Sequence, residues 1–428
     1  MRITSEGSGY TVVWPMDQIK AQVKLRSRKN YKCEVAWIHQ GSSVHRSTWL
    51  LESTNAMQTC EKQLSKRRPI DDYGIDWSQV VEDMAGVVID TVREGSPEVV
   101  LGDVETNDLT TWRIDNLLVE GANNLLWADG GTGKSYFALF LSTLLSEGYI
   151  NTDHNLIVQP GRVLYCDYET EQRSMSLRVK KLHRGLGIQG KSKIVYRKME
   201  LPFTEDLDRI MDICHLRKID VLIIDSMGMA MNQLEDAEAV QNFFRMLSWI
   251  NARFSLTTLV ISHANRTGTM FGSAYIHNSA RCVYEARRTG GSFKSGQIDF
   301  DLFHQKGNDI PRQDPQSWSV SFGEDRVEYT RQDIYTSGAA GSLSYEGLVI
   351  KHLGGKDPQS RNREDLIHLI EPLKLPFEQE SQEKVKVGVR SAVSKLKKSG
   401  VLVEDKETKL LRLNTEESNE KETGHWEA

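Results

Sequence analysis

The stretch Ala128-Asp129-Gly130-Gly131-Thr132-Gly133-Lys134-Ser135 has the residue types and spacing to cradle a polyphosphate. Glycines carry no Cβ, so backbone N–H groups in such a loop converge on phosphate oxygens, and a helix that follows aims its positive end at the anion. Lys134 would reach the outer phosphates, and the Ser135 hydroxyl would ligate Mg²⁺. Ala128 stands where the commonest form of the motif has glycine, a small-for-small replacement.

Binding is only half of hydrolysis, which also needs a metal-side acid, a base for water and a group that senses the γ-phosphate. Asp225 ends the apolar run Val221-Leu222-Ile223-Ile224 and would hold the metal beside Ser135. Glu169, just past Leu164-Tyr165-Cys166-Asp167-Tyr168, is the candidate base, with Asp167 its local rival. His263, after Val260-Ile261-Ser262, is the candidate sensor. Each has a plainer alternative, because strand-ending acids cap helices and single histidines serve structure.

These residues meet only if the strands carrying them end side by side. From 108 to 335 the pattern is strand, helix, strand. Apolar runs at 124–127, 162–167, 194–196, 221–225 and 258–261 alternate with amphipathic stripes such as Met175, Val179, Leu182, Leu186 and Val240, Phe243, Phe244, Leu247, Ile250. That alternation predicts a parallel sheet covered on both faces. Shorter runs at 282–285, 298–303, 319–322 and 327–329 predict an antiparallel extension.

Two flanking domains are expected. Residues 1–105 predict a small α+β domain, with strands at 10–14 and around Val23 and Val35, then helices near 54–66 and 77–94. Its basic turn (Lys20, Lys24, Arg26, Arg28, Lys29, Lys32), with Tyr31 and Trp37 close by, suits either single-stranded nucleic acid or a solvated hairpin edge. A small-residue linker at 336–341 precedes residues 342–414, whose order is helix, helix, helix, hairpin, which resembles a winged helix-turn-helix. In its third helix Val385, Val389, Ala392 and Leu396 form the buried stripe and Lys384, Lys386, Arg390, Lys395, Lys397 and Lys398 stay outside, for duplex DNA or for a protein partner. Residues 415–428 predict a disordered acidic tail.

The 428 residues are 26% charged and 39% hydrophobic, the composition of a soluble multidomain chain. No apolar run reaches membrane-spanning length and the first residues lack a signal core, which predicts a cytoplasmic protein with no membrane partner. The five scattered cysteines predict reduced thiols. A net charge of −5 leaves nucleic-acid binding to local basic surfaces.

Together these residues resemble the RecA-like fold and, within it, the plasmid RepA and phage-type hexameric helicase ATPases. The resemblance rests on Ala128 to Ser135, Leu164 to Glu169, the Asp225 strand and Ile261-Ser262-His263-Ala264-Asn265-Arg266. Looser matches lie at Phe271-Gly272-Ser273, Ala286-Arg287-Arg288 and Phe303-His304-Gln305-Lys306-Gly307-Asn308. It implies an α/β RecA-like P-loop NTPase core with ATP and Mg²⁺ as cofactors. Ala128, Asp129, Gly130, Gly131, Thr132, Gly133, Lys134, Ser135 and Tyr136 would bind nucleotide, Ser135 and Asp225 metal. The catalytic set would be Lys134, Glu169 and His263, with Arg287 and Lys306 reaching the neighbouring subunit's site and Arg288 their rival. It further implies a homo-oligomer, hexameric in the family, with single-stranded DNA gripped by the loops Met227 to Gln233 and Arg266 to Ala280; the second of these is poor in lysine. The implied function is Mg²⁺-dependent ATP hydrolysis coupled to DNA, in a replicative helicase or loader. Alternatives are a recombination or repair ATPase without unwinding and an ATP-gated DNA-binding regulator; a small-molecule kinase is more distant for want of an arginine-rich lid.

Overall fold

A computed structural model describes residues 1–6, 9–27, 30–95, 98–103, 110–148, 156–231, 234–265, 270, 272, 275–308, 310–334, 343–354, 360–378 and 381–414. The expected linker at 336–341 and tail at 415–428 lie outside them.

The N-terminal part is a five-stranded antiparallel meander, β1 (Arg2–Glu6), β2 (Gly9–Trp14), β3 (Ile19–Ser27), β4 (Lys32–His39) and β5 (Ser42–Leu50). Helices α1 (Thr54–Arg67), α2 (Ile70–Tyr73) and α3 (Trp77–Glu94) follow. Ser53 and Asp76 cap α1 and α3 by accepting backbone N–H bonds. Trp37 is fully buried between Trp14 and Trp77, with ring centroids 6.2 Å away on each side.

The core begins with the short β6 (Trp112–Ile114) and β7 (Leu118–Val119), then β8 (Asn123–Ala128), α4 (Lys134–Glu147), β9 (Val163–Asp167) and α5 (Gln172–Gly185). Next come β10 (Val195–Lys198), α6 (Leu207–Arg217), β11 (Val221–Asp225), α7 (Met227–Ala230), α8 (Ala237–Phe254), β12 (Thr257–His263), α9 (Tyr275–Ser279), β13 (Cys282–Ser292), β14 (Gln297–Gly307), β15 (Gln316–Phe322) and β16 (Val327–Gln332). They form one nine-stranded sheet in the order β10-β9-β11-β12-β8-β13-β14-β15-β16. Strands β10 to β13 run parallel; β14, β15 and β16 then alternate in direction. The antiparallel extension therefore starts one strand later than expected, because β13 pairs parallel with β8 before turning back along β14. Strands β8, β9 and β11 are buried along their whole length, as two-sided coverage requires.

Helix α4 is nearly apolar all round because it is enclosed. Phe140 stacks on Tyr329 at 4.3 Å, and Phe137 meets Phe300 and Trp318 edge-on, so the antiparallel strands wrap the helix that opens at Lys134. On the opposite face α6 and α8 bury Ile210, Met211, Phe243, Phe244 and Leu247.

The C-terminal part contains α10 (Tyr345–Leu353), α11 (Arg363–Glu378), α12 (Gln382–Lys398), β17 (Leu402–Glu404) and β18 (Leu411–Leu413). An isolated bridge from Arg361 to Leu411 adds a third strand position to the β17–β18 hairpin, which completes winged-helix topology. Helix α11 runs past the expected stop at 371, since Pro372 removes one donor without ending the helix. No helix among the described residues is long and apolar enough to cross a membrane. All five cysteines are buried and free of disulfides.

Gly388 lets α10 and α12 touch. A Cβ there would overlap the Tyr345 ring. Gly388→Ala should therefore destabilise this domain by about 1–3 kcal/mol, read from its thermal transition, and Tyr345→Leu should recover much of the loss in the double variant.

Candidate nucleotide site

The phosphate loop leaves the C-terminal end of β8 and enters α4, with Gly131 and Gly133 at φ of 75° and 91°, a backbone that side-chained residues adopt only under strain. Thr132 Oγ1 donates to the Asp129 carbonyl at 3.0 Å and stiffens the loop. Lys134 is 6% exposed. Its ammonium donates to the same carbonyl at 3.1 Å and lies 3.2 Å from His263 Nδ1. Burial lowers the lysine pKa against the opposing pull of Asp225, Glu169 and Asp129.

Strand register supplies the partners. Ala128, at the end of β8, pairs with His263 on one side and Ala286 on the other, while Asp225 pairs with Ile261 and Asp167. The carboxyl ends of five strands thus open on one crevice, the place where parallel α/β sheets bind ligands. His263 Nε2 lies 3.1 Å from Glu169 Oε1, and Ser226 Oγ donates to that same oxygen at 2.7 Å. Because an ammonium only donates, His263 Nδ1 is the acceptor and Nε2–H the donor. The result is an unbroken chain from Lys134 through His263 to Glu169 and Ser226. Its donors hold the half-exposed Glu169 carboxyl down at about 2, the His263 bond first, with burial opposing.

Asp225 differs. It is 2% exposed, and burial pushes its pKa up to about 6 against the Tyr165 and Ser135 hydroxyls. Tyr165 donates to Oδ2 at 2.7 Å, whereas Oδ1 is buried with no hydrogen-bond partner among the described residues. An orphaned carboxylate oxygen beside a serine hydroxyl fits a hard divalent cation, so Ser135 and Asp225 suit Mg²⁺.

Asp167 is fully buried and occupied. It accepts the backbone N–H groups of Glu169 and Thr170 at 2.9 and 3.0 Å and the Tyr196 hydroxyl at 3.2 Å. It shapes the turn that presents Glu169. Tyr136 packs edge-on to Phe322, and the Arg178 guanidinium of α5 sits 4.8 Å from its ring centroid.

The three basic candidates part company. Arg287 makes a bidentate pair with Glu285 at 2.6 and 2.8 Å, yet its side chain is 50% exposed. Lys306 donates to the carbonyls of His277, Asn278 and Ala280 and so closes the C-terminal end of α9. Arg288, which sequence alone ranks behind both, has Nη1 3.9 Å from where a Gly131 Cβ would stand, alongside its own phosphate loop. Alternation along β13 was the available signal, since it sends adjacent arginines to opposite faces of the sheet.

A family model described as an AAA domain matches residues 97–269. That span carries the loop, Glu169, Asp225 and His263 on the strand order given above. The core has a RecA-like α/β fold built around that loop. A KaiC-like protein, PH0186, from the hyperthermophilic archaeon Pyrococcus horikoshii OT3 is similar to this chain at 17% identity with a TM-score of 0.36, over 51% of this chain and 93% of that one. No curated protein matches the chain in sequence.

Outside this core, part of each expected basic surface is engaged in ion pairs. Lys24 and Arg26 are paired across to Asp212 and Asp208 of α6, at 2.7 and 2.5 Å, and buried Trp37 has no face for a base to stack on. Arg28 and Lys29 lie outside the described residues, as do Asn232, Gln233, Arg266 to Thr269, Phe271, Ser273 and Ala274 of the two expected DNA loops. On α12, Lys395 pairs with Glu346, Lys397 with Glu404 and Arg390 with Glu364.

The raised Asp225 pKa has a signed consequence. The folded chain retains a proton that the unfolded chain releases between pH 3.8 and about 6, so intrinsic stability falls as pH rises through that window. A cation needs the ionised form, so Mg²⁺-dependent ADP affinity should weaken as pH falls through about 6. Calorimetric titrations of wild type and Asp225→Asn share the nucleotide's own protonation, and the pH dependence attributable to the protein should vanish in the variant.

Proposed function

We propose that this chain is an Mg²⁺-dependent ATPase that works as a homo-oligomer on DNA, as a replicative helicase or loader. The observation that carries the reading is the chain of contacts from Lys134 through His263 to Glu169, set beside the orphaned oxygen of Asp225. Lys134 and the loop amides hold the triphosphate, and a cation between Ser135 and Asp225 would draw charge from its outer oxygens. Glu169 stays ionised at every working pH. Among the described residues both its side-chain bonds end on Oε1, which leaves Oε2 to orient the attacking water. A carboxylate held near 2 is a weak proton acceptor, so it acts first by orientation and charge. His263 touches both Lys134 and Glu169, so it is placed to register γ-phosphate loss and pass it to the segment after β12.

Arg288 acts within its own subunit, on the phosphates beside Gly131. Arg287 is the better candidate for the neighbour's site, because its exposed guanidinium has one acidic partner to leave, whereas Lys306 would have to abandon three carbonyls. The DNA reading is supported by the winged-helix topology and by Lys384 and Lys398, exposed on α12 near its two ends, which suit duplex phosphates.

Turnover per subunit should rise with protein concentration and with single-stranded DNA; a rate flat under both would remove the shared-site and DNA-motor readings. Mixing inactive variants separates the arginines. Arg287→Ala with Lys134→Ala should regain activity at mixed interfaces, whereas Arg288→Ala with Lys134→Ala should not.

A further inference from the structure

A second cavity lies behind the nucleotide site. It has a volume of about 550 Å³, opens to solvent on one side and is bounded by α5, by Tyr165 from β9 and by residues 188–196 leading into β10. That is the size range of small-molecule pockets. Its floor is apolar, from Leu139, Met175, Val179 and Ile194, and its rim carries Lys180, Arg184 and Lys191. No aspartate or glutamate occurs among the described residues that line it. Arg184 is anchored by donating to the Asp325 carbonyl at 3.0 Å, which fixes one cation at the mouth. His183, also in the lining and 5% exposed, has an Nε2 without a hydrogen-bond partner among the described residues; Glu147 Oε1 stands 4.0 Å away, beyond bonding reach.

The walls connect this space to the catalytic acids. Tyr165 lines it and donates to Asp225 Oδ2 at 2.7 Å. Tyr196 also lines it and donates to Asp167 Oδ2 and, at 2.7 Å, to the Thr170 carbonyl, the two ends of the turn that presents Glu169. One turn of α5 away from Met175, Arg178 covers Tyr136 at the start of α4. A molecule filling the cavity would thus press on both phenols that position the metal-side acid and the water-side acid.

We propose that this cavity binds a small organic anion with an apolar body, and that its occupancy is transmitted to the nucleotide site through Tyr165 and Tyr196. Apolar floor and cationic rim select the ligand class: an anionic group at Lys180, Arg184 and Lys191, and a carbon skeleton over Val179 and Ile194. Binding stands on the cavity alone; the transmission rests on the nucleotide-site reading above.

The probe is 8-anilinonaphthalene-1-sulfonate, an aromatic sulfonate of this class, titrated by fluorescence into the full chain. Saturable binding should weaken roughly tenfold in Lys180→Glu/Lys191→Glu, two exposed positions whose reversal removes rim attraction without touching the core. Ser176→Trp, which fills the cavity from its exposed side, should abolish it. The probe should shift ADP affinity in wild type and leave it unmoved in Ser176→Trp. Unchanged probe affinity in both variants overturns the site. Weakened probe binding with ADP affinity indifferent to the probe in wild type overturns the transmission. Loss of oligomer mass in the charge-reversed variant with probe affinity intact gives the surface to a second copy of the chain, against the proposal. Absence of ADP binding in wild type without probe would sink the nucleotide reading and not the cavity.

Discussion

A buried ammonium must be surrounded by oxygen or by partners that compensate for lost water, and Lys134 imposes that requirement on the whole core. It is nearly inaccessible, at the N-terminal end of a helix whose dipole already disfavours positive charge. What makes it tolerable is the Asp129 carbonyl, the His263 ring and the fields of Asp225 and Glu169. Those groups come from the ends of β8, β12 and β11 and from the turn after β9, so the parallel register is what keeps the lysine charged and useful.

The same arrangement gives two carboxylates different work. Glu169 sits at the mouth, surrounded by donors, and is ionised always; Asp225 sits beneath it, desolvated, and becomes an anion near neutrality or when a cation arrives. Tyr165 is central to this division, because one phenol serves Asp225 and also reaches toward the Ser135 carbonyl at 3.4 Å. The antiparallel strands matter through α4: their aromatic rings wrap the helix, which fixes where Lys134 starts.

Much of this was legible in the sequence, since glycine spacing and apolar runs ending in Asp225 and His263 reflect backbone requirements that tertiary context does not override. Less legible was anything set by side-chain pairing. Arg287, Arg288 and Lys306 look interchangeable as letters, yet Glu285, the Gly131 loop and the α9 carbonyls give them separate surroundings. β1 escaped notice because Arg2 to Glu6 is polar and forms an edge, and α6 because its Asp208 and Asp212 face the N-terminal sheet. Trp37 misled for the opposite reason: an aromatic near basic residues suggests a stacking face, but its ring fills the core under α3. The ion pairs from Lys24 and Arg26 to α6 are half-exposed and worth about 0–1 kcal/mol each, so they orient the N-terminal sheet weakly.

The central claim is that Glu169 prepares water for a triphosphate held by Lys134. Single-turnover hydrolysis by Glu169→Gln, with ATP affinity measured on the same preparation, tests it most directly. The account predicts ATP binding within a few-fold of wild type and a chemical step slowed by about 10²–10⁴. Hydrolysis at the wild-type rate would contradict it.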